Sequence, residues 1–171
     1  MISDKSRREY SMHLHIDITI KDERWKNLSG TVQNIFELTL QIAAFKGKNI
    51  EISLVLANDN FVRELNKNYR GKNKPTNILS FPQIDKNYTA LTEEPQNLGD
   101  IVLALETIEK ESCEQEKNFN DHLTHLLVHG TLHLIGYDHI KDKEAKEMES
   151  LEIRILEKLN IKNPYRCRNS L

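Results

Sequence analysis

The stretch HGTLHLIGYDH, residues 129–139, carries His129, His133 and His139 in the spacing H-x-x-x-H-x-x-G-x-x-H. Imidazole nitrogens are ligands for zinc-like ions. Side chains four residues apart on a helix lie one above the other on one face. His129 and His133 are therefore placed to share an ion. His122 and His125 extend the same row, but from His125 to His133 is roughly 12 Å along a helix axis. Metal–nitrogen bonds reach only about 2.0–2.1 Å, so a third ligand has to come from elsewhere. Gly136 provides the route. Glycine adopts the positive φ that ends a helix in a reversal, and His139 follows three residues later, where the chain can turn back. Three protein ligands leave a fourth position open for water, the pattern of catalytic zinc sites. The expectation is one Zn²⁺ per chain on His129, His133 and His139. His122 and His125 read as ordinary half-buried or solvated residues, with His125 also a candidate to back a ligand or touch substrate. Asp138 is a candidate either to orient a ligand imidazole or to cap the final helix.

The spacing matches that of metzincin proteases, H-E-x-x-H-x-x-G-x-x-H, except at Gly130, which stands where those enzymes carry a glutamate. Without that general base a protease would lose about 10²–10⁴-fold in rate. A metal can still polarise a phosphoryl oxygen. Phosphodiester hydrolysis depends on charge neutralisation and positioning as much as on a base, so a phosphate substrate is favoured over a peptide.

A second cluster sits upstream. In NKNYRGKNKPTNILSFP, residues 66–82, Lys67, Arg70, Lys72 and Lys74 surround Gly71 with no acid among them. A flexible cationic loop feeding a strand suits a phosphate grip, with Arg70 the member able to hold it bidentately and Lys72 and Lys74 beside it. Tyr69 is placed to stack on a base. An ordinary solvated loop explains the same residues equally well.

These groups need a scaffold. Residues 13–20 alternate and are rich in β-branched side chains, which predicts a strand. Ser29 is a candidate cap for a helix with apolar positions Val32, Ile35, Phe36, Leu40 and Ala43, ended by Gly47. Residues 49–57 form a second strand. Asn58 or Asp59 caps a short helix through Phe61, Leu65 and Asn68. A third strand, 76–82, lies between Pro75 and Pro82. The polar stretch 84–98 reads as a long mobile loop, residues 99–105 as a fourth strand and 106–116 as a charged helix. The histidine helix covers about 120–135, with Leu123, Leu126, Leu127 and Leu134 as its apolar stripe. A last helix covers about 142–160, with Met148, Leu151, Ile155 and Leu159 buried. The order β-α-β-α-β-β-α-α-α describes one α+β domain. It has a small four-stranded mixed sheet covered by helices, and its metal site lies on the C-terminal helix pair. Residues 12–163 make that domain, 1–11 a flexible lead-in and 164–171 a tail.

The 171 residues are 38% hydrophobic and 29% charged, with net charge −2, ordinary values for a soluble globular chain. No overall field points to nucleic acid, so any anion-binding surface must be local. No apolar run reaches the length of a membrane span, and the polar N-terminus lacks the apolar core of a secretory signal. No membrane partner is therefore expected, and cytoplasmic residence is the default. Cys113 and Cys167 stand far apart without a C-x-x-C, which excludes a cysteine zinc knuckle and favours two unpaired thiols.

Three blocks together resemble the YbeY family of bacterial endoribonucleases, the rRNA maturation factors. They are NYRGKNKPTNILSFP (68–82), LGDIVLAL (98–105) and HLLVHGTLHLIGYDH (125–139), in the family's order. The resemblance spans about residues 50–160. It implies a small α+β domain holding one zinc through His129, His133 and His139, with Arg70 near the metal and taking part with His129 in RNA cleavage. It further implies a single-strand endoribonuclease acting in ribosomal RNA processing, notably at the small-subunit 3′ end, with single-stranded rRNA and the ribosomal small subunit as partners. Where the family often has Lys-Asp-Lys-Pro-Thr, this chain has Lys72-Asn73-Lys74-Pro75-Thr76, a more positive loop. Two competing readings remain. One is a metalloprotease drawing its base from Glu106 or Asp100. The other is a non-catalytic, ribosome-associated factor in which zinc staples the last two helices.

Overall fold

Alternating apolar side chains build the central sheet. The computed structural model describes residues 12–25, 29–84 and 92–166, with the side chain of Ser29 left out. The expected lead-in 1–11, the capping side chain of Ser29, residues 85–91 of the expected loop, and Cys167 therefore lie outside the described residues. Four strands, β1 (His13–Ile20), β2 (Asn49–Ala57), β3 (Ile78–Pro82) and β4 (Gln96–Ala104), lie in the order β1-β2-β4-β3. β1, β2 and β4 run parallel, and β3 pairs antiparallel with β4 at the edge. The domain is thus α+β with a mixed four-stranded sheet.

Strand periodicity splits the interior in two. Ile50, Ile52, Leu54 and Leu56 of β2, with Ile101 and Leu103 of β4, face the main core. Helices α1 (Ser29–Ile42), α4 (Phe119–Leu134) and α5 (Asp142–Lys158) contribute Phe36, Leu127 and Ile155 to that side. Val102 and Ala104 point the other way, into a smaller cluster closed by Val62 of α2 (Asp59–Arg70). Helix α3 (Leu105–Glu114) follows β4 directly and buries Leu105 and Ile108 in the main core.

Helix α4 is more deeply buried than its leucine stripe predicts. Val128, Gly130, Thr131 and Leu132 are closed off as well. Gly130 explains how. A Cβ there would lie 2.7 Å from Ile78 Cδ1, 3.1 Å from Ser80 Oγ and 3.2 Å from Ile101 Cδ1. The helix backbone rests directly on β3 and β4, and any side chain at 130 would point into the sheet.

Several boundaries differ from expectation for identifiable reasons. The first helix ends at Ile42, not at Gly47. Ala44 takes the left-handed conformation (φ 53°), and Phe45 N–H closes onto the Leu40 carbonyl. β4 starts at Gln96, three residues early. Asn97 pairs with Glu51 and Gly99 with Ile52, so Leu98 is an extra residue in a bulge, and Gly99 (φ 132°) carries the strained backbone. β3 starts two residues late, because the Asn77 side chain takes the Ile78 N–H at 2.7 Å. Asn58, not Asp59, caps α2, accepting from Phe61 N–H at 2.9 Å.

The expected flexible cationic loop is also corrected. α2 continues through Lys67 to Arg70, and Gly71 (φ 68°) ends it by returning its N–H to the helix carbonyls. Arg70 is thus the last residue of a helix, where a cation complements the helix dipole.

Candidate metal centre

Three imidazoles converge at the C-terminal end of α4. His129 and His133 face each other one turn apart, with ring centroids 4.6 Å apart. Helix α4 ends at Leu134, and Gly136 takes φ 98° while its N–H returns to the His133 carbonyl at 3.1 Å. A Cβ at Gly136 would meet nothing within 4 Å. The backbone conformation, not space, is what calls for glycine. The reversal brings the His139 ring to 5.5 Å from His129, nearly parallel, and 5.0 Å from His133. One nitrogen from each of the three lies within 4.8 Å of the others.

The tautomers follow from the partners. His129 Nδ1 is 2.5 Å from Glu152 Oε1, and His133 Nδ1 is 2.9 Å from the Tyr137 carbonyl oxygen. Carboxylates and carbonyls only accept, so both Nδ1 atoms carry the proton and donate. Both Nε2 atoms then present lone pairs, and they stand 3.1 Å apart. Two lone pairs do not bond each other. Ligands on a tetrahedral ion with bonds of about 2.0–2.1 Å sit about 3.3 Å apart. The pair is spaced for a metal, and His139, exposed at the rim, completes a three-histidine set. Burial, then the charges of His129 and His139, hold His133 below its ordinary value, which favours the neutral, ligating form.

Glu152 was not legible as part of this site. It lies on α5, is 0% exposed and sits within the apolar stripe of Met148, Ile155 and Leu156. His125 Nε2 is 3.3 Å from its other oxygen, Oε2, which also accepts from the Tyr165 hydroxyl. Burial works against the Glu152 charge, but the bonds from His125 and His129 outweigh it and bring the pKa down to about 2. Tyr165, assigned on sequence to the tail, thus returns to the site. His125 thus shares this carboxylate with His129, and their rings also meet edge to face with centroids 6.4 Å apart. Farther up α4, His122 is buried and bonds Glu111 at 2.8 Å.

Asp138 does not cap the final helix. Its Oδ1 accepts the His139 backbone N–H at 2.7 Å, and α5 is preceded by Lys141 with no side-chain cap. The carboxylate shapes the turn that carries His139, and its charge also acts on His133. The two bases considered for a protease are committed elsewhere. Glu106 pairs with Arg24 at 2.6 Å and takes the Asp59 N–H, and Asp100 accepts from Gln83 at 2.6 Å.

The histidines open on both sides. A cavity of about 440 Å³ is lined by Arg70, Thr76, Ser80, His129, His133 and His139. Arg70 reaches it over the edge strand from the opposite face of the sheet. Lys72 and Lys74 are exposed beyond it, and Tyr69 is 70% exposed, with its ring edge on Phe81 at 5.3 Å. A cavity of about 520 Å³ on the other side is lined by Asn77, Glu111, His122, His125, His129 and Tyr165. Among the described residues no helix is long and apolar enough to cross a membrane.

A family model described as Endoribonuclease YbeY matches residues 15–160. A protein of that name from Sinorhizobium fredii is 43% identical over 166 residues, covering 89% of this chain and 92% of its own. One from Magnetococcus marinus is 50% identical over 122 residues, covering 68% of this chain and 83% of its own. The solution structure of a Thermotoga maritima protein superimposes with a TM-score of 0.58 at 25% identity, covering 91% of this chain and 95% of that one.

Proposed function

The chain belongs to the YbeY endoribonuclease family, and from that premise we propose a zinc-dependent endoribonuclease that cuts single-stranded RNA. The observation that carries it is the pair of lone-pair nitrogens 3.1 Å apart, with His139 beside them and Arg70 on the wall of the same cavity. His129, His133 and His139 hold one Zn²⁺. When bound, it supplies Lewis-acid polarisation of the scissile phosphate.

The chain's own side chains do the rest. Arg70 grips the non-bridging oxygens and neutralises charge as it develops there. It stands at a helix end, on the wall of the cavity that the histidines line. Lys72 and Lys74 hold the strand farther out through its phosphates, and Tyr69 offers a stacking face. His129 takes part in cleavage as a ligand facing substrate, and His125 stands behind it through Glu152. The substrate we infer is ribosomal RNA, at the 3′ end of the small-subunit species. Its partner is then the small ribosomal subunit, and its place of work the cytoplasm.

The test uses labelled single-stranded RNA and a labelled peptide side by side, with metal-stripped and zinc-restored protein. RNA cleavage is expected only with metal, and peptide cleavage not at all. Arg70→Ala is expected to slow RNA cleavage about 10²–10³-fold with the metal content unchanged. Metal-loaded protein that leaves RNA intact, with zinc merely raising the melting temperature, would establish a structural staple instead.

A further inference from the structure

We propose that Glu152, braced by Tyr165, is the positioning residue that sets how tightly His129 holds its metal ion; this rests on the three-histidine centre proposed above. Glu152 has no exposed surface and lies between Met148 and Ile155 on α5. Burying a carboxylate is costly unless donors meet it. Three do: the ring nitrogens of His129 and His125 and the hydroxyl of Tyr165. As a stability device this is poor, because an apolar side chain of similar volume at such a site is often as good or better. The charge makes sense through what it does to His129.

Three effects follow from the geometry. The 2.5 Å bond from Nδ1 fixes the tautomer that leaves Nε2 free. It also fixes the ring about its long axis, so that Nε2 stays aimed at Nε2 of His133. A carboxylate behind the ring raises the basicity of the far nitrogen, as in carboxylate–histidine–metal arrangements generally. His133 faces a neutral carbonyl in the equivalent place, so the two ligands are not backed alike.

Tyr165 has its own part. It comes from the segment after α5 and donates to Oε2, which leaves Oε1 for His129. It stands between the 520 Å³ cavity and a second of about 350 Å³ lined by Met148, Glu149 and Glu152, both open to His129. The C-terminal segment is thereby tied to the metal centre through one hydroxyl.

The test measures zinc affinity by competition with a chromophoric chelator, alongside the melting curve without metal and the absorption spectrum of the cobalt-substituted protein. Glu152→Gln keeps the shape and removes the charge. Zinc is expected to bind about 10–100-fold more weakly, with an altered cobalt spectrum and a cooperative metal-free melt. Tyr165→Phe deletes the hydroxyl that meets Glu152 and His125 and is expected to weaken zinc by about 2–10-fold. A folded Glu152→Gln protein with wild-type affinity and an unchanged cobalt spectrum overturns the proposal. If Glu152→Gln fails to fold, Tyr165→Phe decides, and unchanged affinity there overturns it. Wild-type protein that takes up neither zinc nor cobalt sinks the three-histidine centre and this inference together.

Discussion

Four histidines line one face of α4, and they divide into two pairs. His122 and His125 each aim a ring nitrogen at a carboxylate, Glu111 and Glu152. His129 and His133 keep Nδ1 occupied and leave their Nε2 atoms facing each other. Residue type and helix are the same, and the spacing differs by one residue, three from His122 to His125 and four from His129 to His133. What differs is the group standing opposite. With an acid as its polar partner, a histidine is a hydrogen-bond partner. A second imidazole opposite, with an acceptor behind each ring, makes a pair able to hold an ion. The chemistry of a histidine row is set across the gap.

Alanine at His133 should have the largest effect on this division. Metal content, read by elemental analysis, should fall below one ion per chain, and RNA cleavage should drop to the level left by chelation. Retained stoichiometric metal would break the distinction between the pairs. Gly130→Glu comes next, because it restores the protease pattern on paper. At Gly130 the sheet is already in contact, so the carboxylate would be driven against Ile78 and Ile101. A loss of about 3–5 kcal/mol in denaturant unfolding is expected, with no peptide cleavage gained.

His122→Ala should destabilise by about 1–3 kcal/mol yet leave zinc stoichiometry intact, which marks His122 as structural. The smallest effect concerns Glu111. Burial works against its charge, but bonds from His122 and Asn77, with Lys117 nearby, outweigh it and hold the carboxyl below its ordinary 4.5. A depressed folded value means that its stabilisation is present above pH 4.5 and is lost as pH falls through the lower folded value. Glu111→Gln should therefore flatten the acid limb of stability below pH 4.5. It should also cost about 0.5–1.5 kcal/mol at neutral pH.

The clustering of three histidines was legible because their spacing is local and Gly136 marks the reversal between them. The element order was legible because apolar periodicity is also local. Glu152 was not. It lies 23 residues from His129 on another helix, in a run whose acids look like an ordinary solvated face. Only the packing of α5 on α4 shows that this one points inward. Tyr165 was missed for the same reason, as a terminal residue with no pattern around it. Arg70 was seen as a cation but not as a helix end, because the polar run KNYRGKNK hides where α2 stops. Gln96 and Asn97 read as loop because polar residues on a bulged strand carry no alternation. Gly130 was legible as a missing base but not as a contact with the sheet.

That contact has a mechanical consequence. Helix α4 lies on β3 and β4 with no side chain between backbone and sheet at Gly130, and Ile78, Ser80 and Pro82 of β3 lie in the wall shared by Arg70 and the histidines. The wall beside Arg70 and the support under the imidazole trio are thus the same strand, and a shift of β3 would carry both sides of the cavity with it.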